Sequence, residues 1–201
     1  KNPITGIILT TDTIQRFSSQ FTPEEMDRQL SHIKSAAERM KAIVMNLLDI
    51  QLIESGRFQV EVGEIELENI LTECVEEFQA RAAAKDITLH VNVPEIPVTL
   101  FADRNALHEV LDNLISNALK FSLPHSMVTI SVGRGEHHRT RISVQDQGPG
   151  LTDEDKSKLF GKFMRLSARP TAGEDSTGLG LAIVKKLVEA MNGRIWCESE
   201  I

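Results

Sequence analysis

The chain has 201 residues, 41% of them hydrophobic and 25% charged, with a formal charge of −7. That composition fits a soluble globular protein of one or two domains. The negative charge argues against non-specific nucleic-acid binding, which depends on neutralising phosphates. No apolar run approaches the ~20 residues that span a bilayer, and the start lacks a signal-peptide pattern, so no membrane contact is expected of this segment. Cys74 and Cys197 are too few and too distant in sequence for a disulfide framework or a zinc site, and read as reduced thiols of a cytoplasmic compartment. The chain opens with Lys and stops at Ile201 inside a strand-like run, so it reads as a piece of something longer.

Residues 1–56 form the first expected domain and are helical. Pro3 suits a first turn, and Ile4, Ile7, Ile8, Ile14 and Phe17 follow with roughly helical spacing. At SSQFTPEE the helix breaks and restarts: Thr22 is a good N-cap, Pro23 fits the first helical position and Glu25 completes a capping box. Met26, Leu30, Ile33, Ala37, Met40, Val44 and Leu47 then alternate steps of four and three, a coiled-coil seam. One hairpin leaves that stripe uncovered, which predicts a homodimeric four-helix bundle, the alternative being packing on the rest of the chain.

Gly56 closes the helix, and residues 57–201 form the second expected domain. RFQVEV alternates like a strand, 67–84 read as a helix, ITLHVNV as a strand and 103–121 as a helix. MVTISVGR and TRISVQD read as a hairpin; a short helix follows near 153–161, then the polar loop SARPTAGEDS. LGLAIVKKLVEAM is a helix closed by Asn192-Gly193, and RIWCES a last strand. Helices and strands mix without regular alternation, which predicts an α+β chain with a mixed sheet and helices on one face.

The helix 103–121 contains two asparagines, although asparagine is a poor helix former. On a helical wheel Leu107, Val110, Leu111, Leu114, Ala118 and Phe121 face the core, while Asn113, Asn117 and Lys120 stack on an adjacent arc. Two amides and an ammonium suit a cation and a phosphate, and equally suit a solvated polar face. In TRISVQDQGPG, Asp146 shares a strand side with Ile142 and Val144, so it should point inward, where an adenine amino group is a suitable donor; it could also be a turn residue. Gly148 and Gly150 would let backbone approach a planar base. Gly178 and Gly180 open a helix, where bare N–H groups and the positive end of the dipole meet phosphate, although a GxG alone is a weak signal.

Taken in order, N-x-x-x-N-A-x-K-F, D-x-G-x-G, LFGKFMR and TGLGLAIVKKLVEAMNGRIW resemble the ATP-binding domain of sensor histidine kinases, a Bergerat-type α/β sandwich shared with the gyrase, heat-shock-90 and mismatch-repair ATPases. The hairpin resembles that family's dimerisation and phosphotransfer segment. The resemblance implies Mg-ATP as cofactor, with Asn117 holding Mg²⁺, Asn113 and Lys120 at the triphosphate, and Asp146 reading the adenine amino group. Gly148 and Gly150 would shape the base pocket beside Phe121, which stands where many relatives have Tyr. Phe160 and Phe163 fall in the family's F-box, Arg165 would reach the γ-phosphate, and Thr177, Gly178, Leu179, Gly180 and Leu181 would lie against the phosphates under a lid of residues 167–177.

The related ATPases place a general-base Glu where this chain has Asn113. An amide takes no proton near neutral pH, and a general base is worth ~10²–10⁴-fold, which disfavours hydrolysis and favours transfer. Glu109, one turn earlier, is expected beyond the phosphates. By the motif H-[E/D]-x-[K/R]-[N/T]-P, KNPITGI puts the phosphoacceptor histidine three residues before Lys1, and Asn2 where the family orients water to dephosphorylate a response regulator; an Asn there also serves as a helix cap. A response-regulator receiver domain and an upstream sensor domain are the implied partners. Neither His32 on the hairpin nor the His137-His138 pair has a motif that would make it the acceptor. The other readings are a serine kinase of the anti-sigma type or an ATPase, against which the KNP-bearing hairpin counts, and a non-catalytic dimeric scaffold, against which the intact Asn117, Asp146 and glycine pairs count.

Overall fold

A computed structural model describes residues 2–55, 59–94, 98–135, 139–164, 166–171 and 177–200. It divides into two compact units, Lys1–Gln51 and Leu52–Ile201.

The first unit is a helical hairpin of α1 (Pro3–Phe17) and most of α2 (Pro23–Glu54), joined through a 3-10 turn at Ser18–Gln20. Asn2 caps α1, its side-chain oxygen accepting from the Ile4 N–H at 3.1 Å. The capping box at the start of α2 forms as the sequence predicts. Thr22 Oγ1 accepts from the Glu25 N–H at 3.2 Å, and Glu25 Oε2 accepts from the Thr22 N–H at 2.9 Å. The predicted seam splits into two faces. Met26, Ile33 and Met40 are half-buried, whereas Leu30, Ala37, Val44 and Leu47 are exposed, and Ala36, outside the predicted seam, is buried in place of Ala37. A hairpin covers only one side of a broad apolar stripe, so the other side stays in solvent within one chain.

The second unit contains β1 (Gly63–Glu66), α3 (Leu67–Ala83), β2 (Thr88–Asn92), β3 (Thr99–Ala102), α4 (Arg104–Phe121), β4 (Met127–Arg134), β5 (Thr140–Gln145), α5 (Asp153–Lys158) and α6 (Gly180–Ala190). Among the described residues β2, β4 and β5 form one sheet in that order, with β2–β4 parallel and β4–β5 antiparallel; β1 and β3 form a separate antiparallel pair. The mixed sheet is therefore present. Val128, Ile130 and Val132 alternate along β4 and are buried with Leu71, Cys74 and Phe78 of α3 and Leu111, Ile115 and Leu119 of α4 in one core. Burying each large aliphatic side chain contributes about 1.5–3 kcal/mol.

Three details differ from the sequence reading. The first strand runs over Gly63–Glu66 rather than 57–62, of which 57 and 58 lie outside the described residues. Its partner β3, with Leu100 and Ala102 turned inward, was not anticipated. Residues 194–199 form no ladder: side chains tie the segment down instead, with Arg141 donating to Glu198 at 3.4 Å and the Leu151 N–H to Ser199 Oγ at 2.9 Å.

Candidate functional site

The nucleotide-site candidates gather where α4 meets α6. Asp103 starts α4: its Oδ1 accepts from the Ala106 N–H at 3.0 Å and its Oδ2 from the Glu61 N–H at 2.8 Å. Burial opposes ionisation of this carboxyl, but N–H donors from Ala106, Glu61 and Asn105 outweigh it and hold the group below its ordinary value. Leu107, Val110, Leu111 and Ala118 are buried as expected, and Ile115 and Leu119 are buried as well. Leu114 and Phe121 are only half-buried. The wheel placed a single core face on a helix that contacts α3, α6 and the sheet at once.

Asn113, Asn117 and Lys120 are all half-buried along one side of α4. Asn113 Nδ2 donates to the Glu109 carbonyl at 2.9 Å, which fixes the amide plane. Its Oδ1 faces Gly180, where an added Cβ would stand 2.5 Å away. Gly178 has φ +68°, and a Cβ there would meet the Met164 carbonyl oxygen at 2.9 Å and the Phe163 carbonyl carbon at 3.0 Å. The Phe163 N–H donates to the Gly178 carbonyl at 2.8 Å, so the F-box segment sits directly on the glycine turn. Phe160 is half-buried and Phe163 is 56% exposed.

Helix α6 starts without a side-chain cap and without an acidic residue in its first turn. Its first N–H groups and the positive end of its dipole thus face outward from a backbone stripped of side chains by Gly178 and Gly180. Leu179 departs from the expectation in one respect. Its side chain is fully buried, and its N–H donates to Thr177 Oγ1 at 3.3 Å, so the residue anchors α6 in the core. Leu181 is half-buried.

Asp146 also departs from expectation, being exposed rather than inward. β5 ends at Gln145, so the two-residue alternation does not carry through, and Asp146 Oδ1 instead accepts from the Gly148 N–H at 2.8 Å. A Cβ on Gly148 would meet Asp146 Oδ1 at 2.8 Å and the Phe121 carbonyl oxygen at 3.0 Å. The end of α4, the Asp146 turn and Gly148 are therefore in mutual contact. Gly150 follows at φ +74°. Arg165 and residues 172–176 of the expected lid lie outside the described residues, and Asn2 belongs to the first unit.

Sequence reasoning missed the residues that pin the surrounding loops. Lys85 Nζ donates to the Leu119 carbonyl at 2.7 Å and to Thr171 Oγ1 at 2.9 Å, placing a cation at the negative end of α4. Thr171 donates its N–H to the Lys120 carbonyl at 3.0 Å, which ties the front of the expected lid to α4. Asp155, buried at α5, accepts from the Ser167 N–H at 3.1 Å and from the Ser167 hydroxyl. Those donors, with Thr152, hold its carboxyl below the ordinary carboxylate range. None of these contacts follows from spacing, since each joins segments far apart in the chain.

The chain is thus a helical hairpin followed by a mixed α/β unit in which a glycine turn packs against α4. Residues 1–56 match the His Kinase A (phospho-acceptor) domain, and residues 102–201 match the histidine kinase-, DNA gyrase B-, and HSP90-like ATPase. The chain belongs to the histidine kinase family. It is 30% identical to the adaptive-response sensory kinase SasA of Synechococcus elongatus over 207 residues, which is 100% of the chain and 53% of that protein. The chain thus spans about half the length of that curated relative. Two solved structures share its fold. Full-length ShkA in complex with AMPPNP has a TM-score of 0.71 at 23% identity, over 99% of this chain and 44% of that one. Histidine kinase ThkA in complex with the response regulator TrrA has a TM-score of 0.73 at 24% identity, over 97% of this chain and 53% of that one.

Proposed function

We propose that the chain is the catalytic core of a two-component sensor histidine kinase. It binds Mg-ATP between α4 and α6 and directs the γ-phosphoryl to a histidine, from which a response-regulator receiver domain takes it. The observation that carries the reading is the bare, uncapped start of α6, set against Asn113 at Gly180 and against the Phe163–Met164 backbone at Gly178. Amide oxygens, uncapped helix N–H groups and one ammonium are the donor set that a magnesium-bound triphosphate requires. ShkA with AMPPNP and ThkA with its response regulator share the fold, and their ligands support the same assignments here.

In this reading Asn117 supplies an oxygen to Mg²⁺, which when bound neutralises charge on the phosphate oxygens. Asn113, Lys120 and the α6 N–H groups orient the triphosphate, with Thr177 holding the turn that precedes them. Asp146 and Gly148 meet the base beside Phe121, Gly150 and Phe160. Phe163 fixes the glycine turn from outside through its N–H, and Arg165 is assigned to the γ-phosphate by the family motif. Asn113, an amide where the related ATPases carry a general-base Glu, supports transfer over hydrolysis. On the first unit, the exposed Ile4, Ile8, Leu30, Val44 and Leu47 support pairing with a second copy. Asn2 is assigned to the dephosphorylation of the regulator, alongside its capping of α1.

The test is incubation of the chain, together with the residues that precede it in the parent protein, with γ-labelled ATP. Acid-labile, base-stable label on the protein supports the kinase reading. Nucleotide binding with no label, or with acid-stable label, overturns it.

A further inference from the structure

A second cluster of ligand-type side chains lies between α3 and α4, away from the glycine turn. Cys74 and Glu77 share one face of α3, and His108 and Asp112 share one face of α4, each pair about one helical turn apart. One ligand atom each of Cys74, His108 and Asp112 lies within 4.8 Å of the other two. His108 Nε2 is 3.8 Å from Glu77 Oε1, and His108 Nδ1 is 3.7 Å from Asp112 Oδ2. Asp112 Oδ1 is buried and accepts no hydrogen bond among the described residues. A buried carboxylate oxygen without a donor is a group that a cation satisfies.

We propose that Cys74, His108 and Asp112 bind a divalent transition metal of the zinc type and clamp α3 to α4. The ligand set is a thiolate, an imidazole and a carboxylate, with a fourth position open to water, which matches zinc and its spectroscopic surrogate cobalt. Magnesium prefers oxygen alone and is excluded by the same chemistry, which separates this site from the nucleotide's cation. Bonds of about 2.0–2.3 Å bring tetrahedral ligand atoms to roughly 3.3–3.8 Å of one another. The cluster must therefore contract by about an ångström, a movement that rotation of the half-exposed His108 side chain supplies.

The local electrostatics oppose deprotonation of these ligands, a cost that the metal must overcome. Burial, and then the neighbouring Asp112, Glu77 and Glu73 carboxylates, push the Cys74 thiol up to about 12. Burial also raises Asp112. His108 and, more weakly, Arg81 act against that burial at Asp112, and Arg81 also stacks on Phe78 and donates to Ser116. A bound metal reverses the local field. On binding, the Cys74 S–H bond breaks, a sulfur–metal bond forms and the proton passes to solvent.

The test is titration of the chain, stripped with chelator and kept free of nucleotide, with Co²⁺. The expected result is one equivalent bound, with a thiolate-to-cobalt charge-transfer band in the near ultraviolet that Zn²⁺ abolishes. Cys197→Ser should keep the band and Cys74→Ser should lose it. His108→Gln and Asp112→Asn, checked for folding by circular dichroism, should each weaken Co²⁺ binding about tenfold or more. A folded chain that shows no band overturns the proposal. So does a band that survives Cys74→Ser or vanishes in Cys197→Ser. Should Cys74→Ser fail to fold, unchanged affinity in both other variants overturns it equally.

Discussion

Oδ1 of Asn113 lies 2.5 Å from where a Cβ on Gly180 would stand, so the two helices meet at a point that has room for a hydrogen and no more. The Asn113 amide cannot swing aside without giving up its 2.9 Å bond to the Glu109 carbonyl. Gly180→Ala should therefore displace either the amide or the start of α6, at a cost of about 1–3 kcal/mol. ATP affinity measured by calorimetry should fall, while the unfolding transition remains cooperative. Unchanged affinity would show that the nucleotide does not depend on this contact.

Asp146→Ala should weaken ATP binding by about 1–3 kcal/mol, up to roughly a hundredfold. The variant loses the acceptor that shapes the Gly148 turn and, on the proposed reading, the partner for the adenine amino group. Comparing adenine with purine nucleotides that lack the amino group separates the two effects. If Asp146 reads the amino group, the variant loses the preference for adenine; if it only shapes the turn, both affinities fall together.

Asn117→Asp places a carboxylate one turn beyond Asn113 on the same side of α4. A carboxylate binds Mg²⁺ more strongly than an amide but repels the phosphates beside it. Nucleotide affinity should become more dependent on Mg²⁺, read by titrating ATP with and without the metal. Identical Mg²⁺ dependence in the two proteins would remove Asn117 from the metal's coordination sphere.

Asp103→Ala removes the cap of α4 together with the bond to the Glu61 N–H, and should cost about 1–2 kcal/mol at neutral pH. The folded-state carboxyl is held below its ordinary 3.8. Its ionised form therefore stabilises the fold above that pH, and the contribution fades as pH falls through the lowered value. The gap between wild-type and variant denaturation midpoints should narrow as pH falls below 3.8. A gap independent of pH would mean that Asp103 acts through packing alone.

Much of the architecture was legible because it rests on local rules. The capping box at Thr22 and Glu25, the buried alternation of β4 and the stop at Asn192-Gly193 each follow from a few adjacent residues. Asn192 adopts φ +57° and the Gly193 N–H returns to the Val188 carbonyl at 2.7 Å, as a helix end requires. β3 was missed because its short alternation sits just after a stretch that reads as loop. The expected ladder at 194–199 is absent, and the Glu198 and Ser199 side chains there bond Arg141 and the Leu151 N–H.

The sequence by itself determined which chemistry the chain carries: two helix amides, two glycine pairs and an acid before QGPG, in an order that names their family. Only the tertiary structure decided which of those residues meet. It turned Asp146 outward, buried Leu179 in the core and set Asn113 against Gly180. It also brought Cys74 beside His108 and Asp112, a grouping of which the number and spacing of the two cysteines gave no sign. Local patterns fix helices and strands within a few residues, whereas packing fixes which faces touch, and only packing brings distant ligands within bonding range.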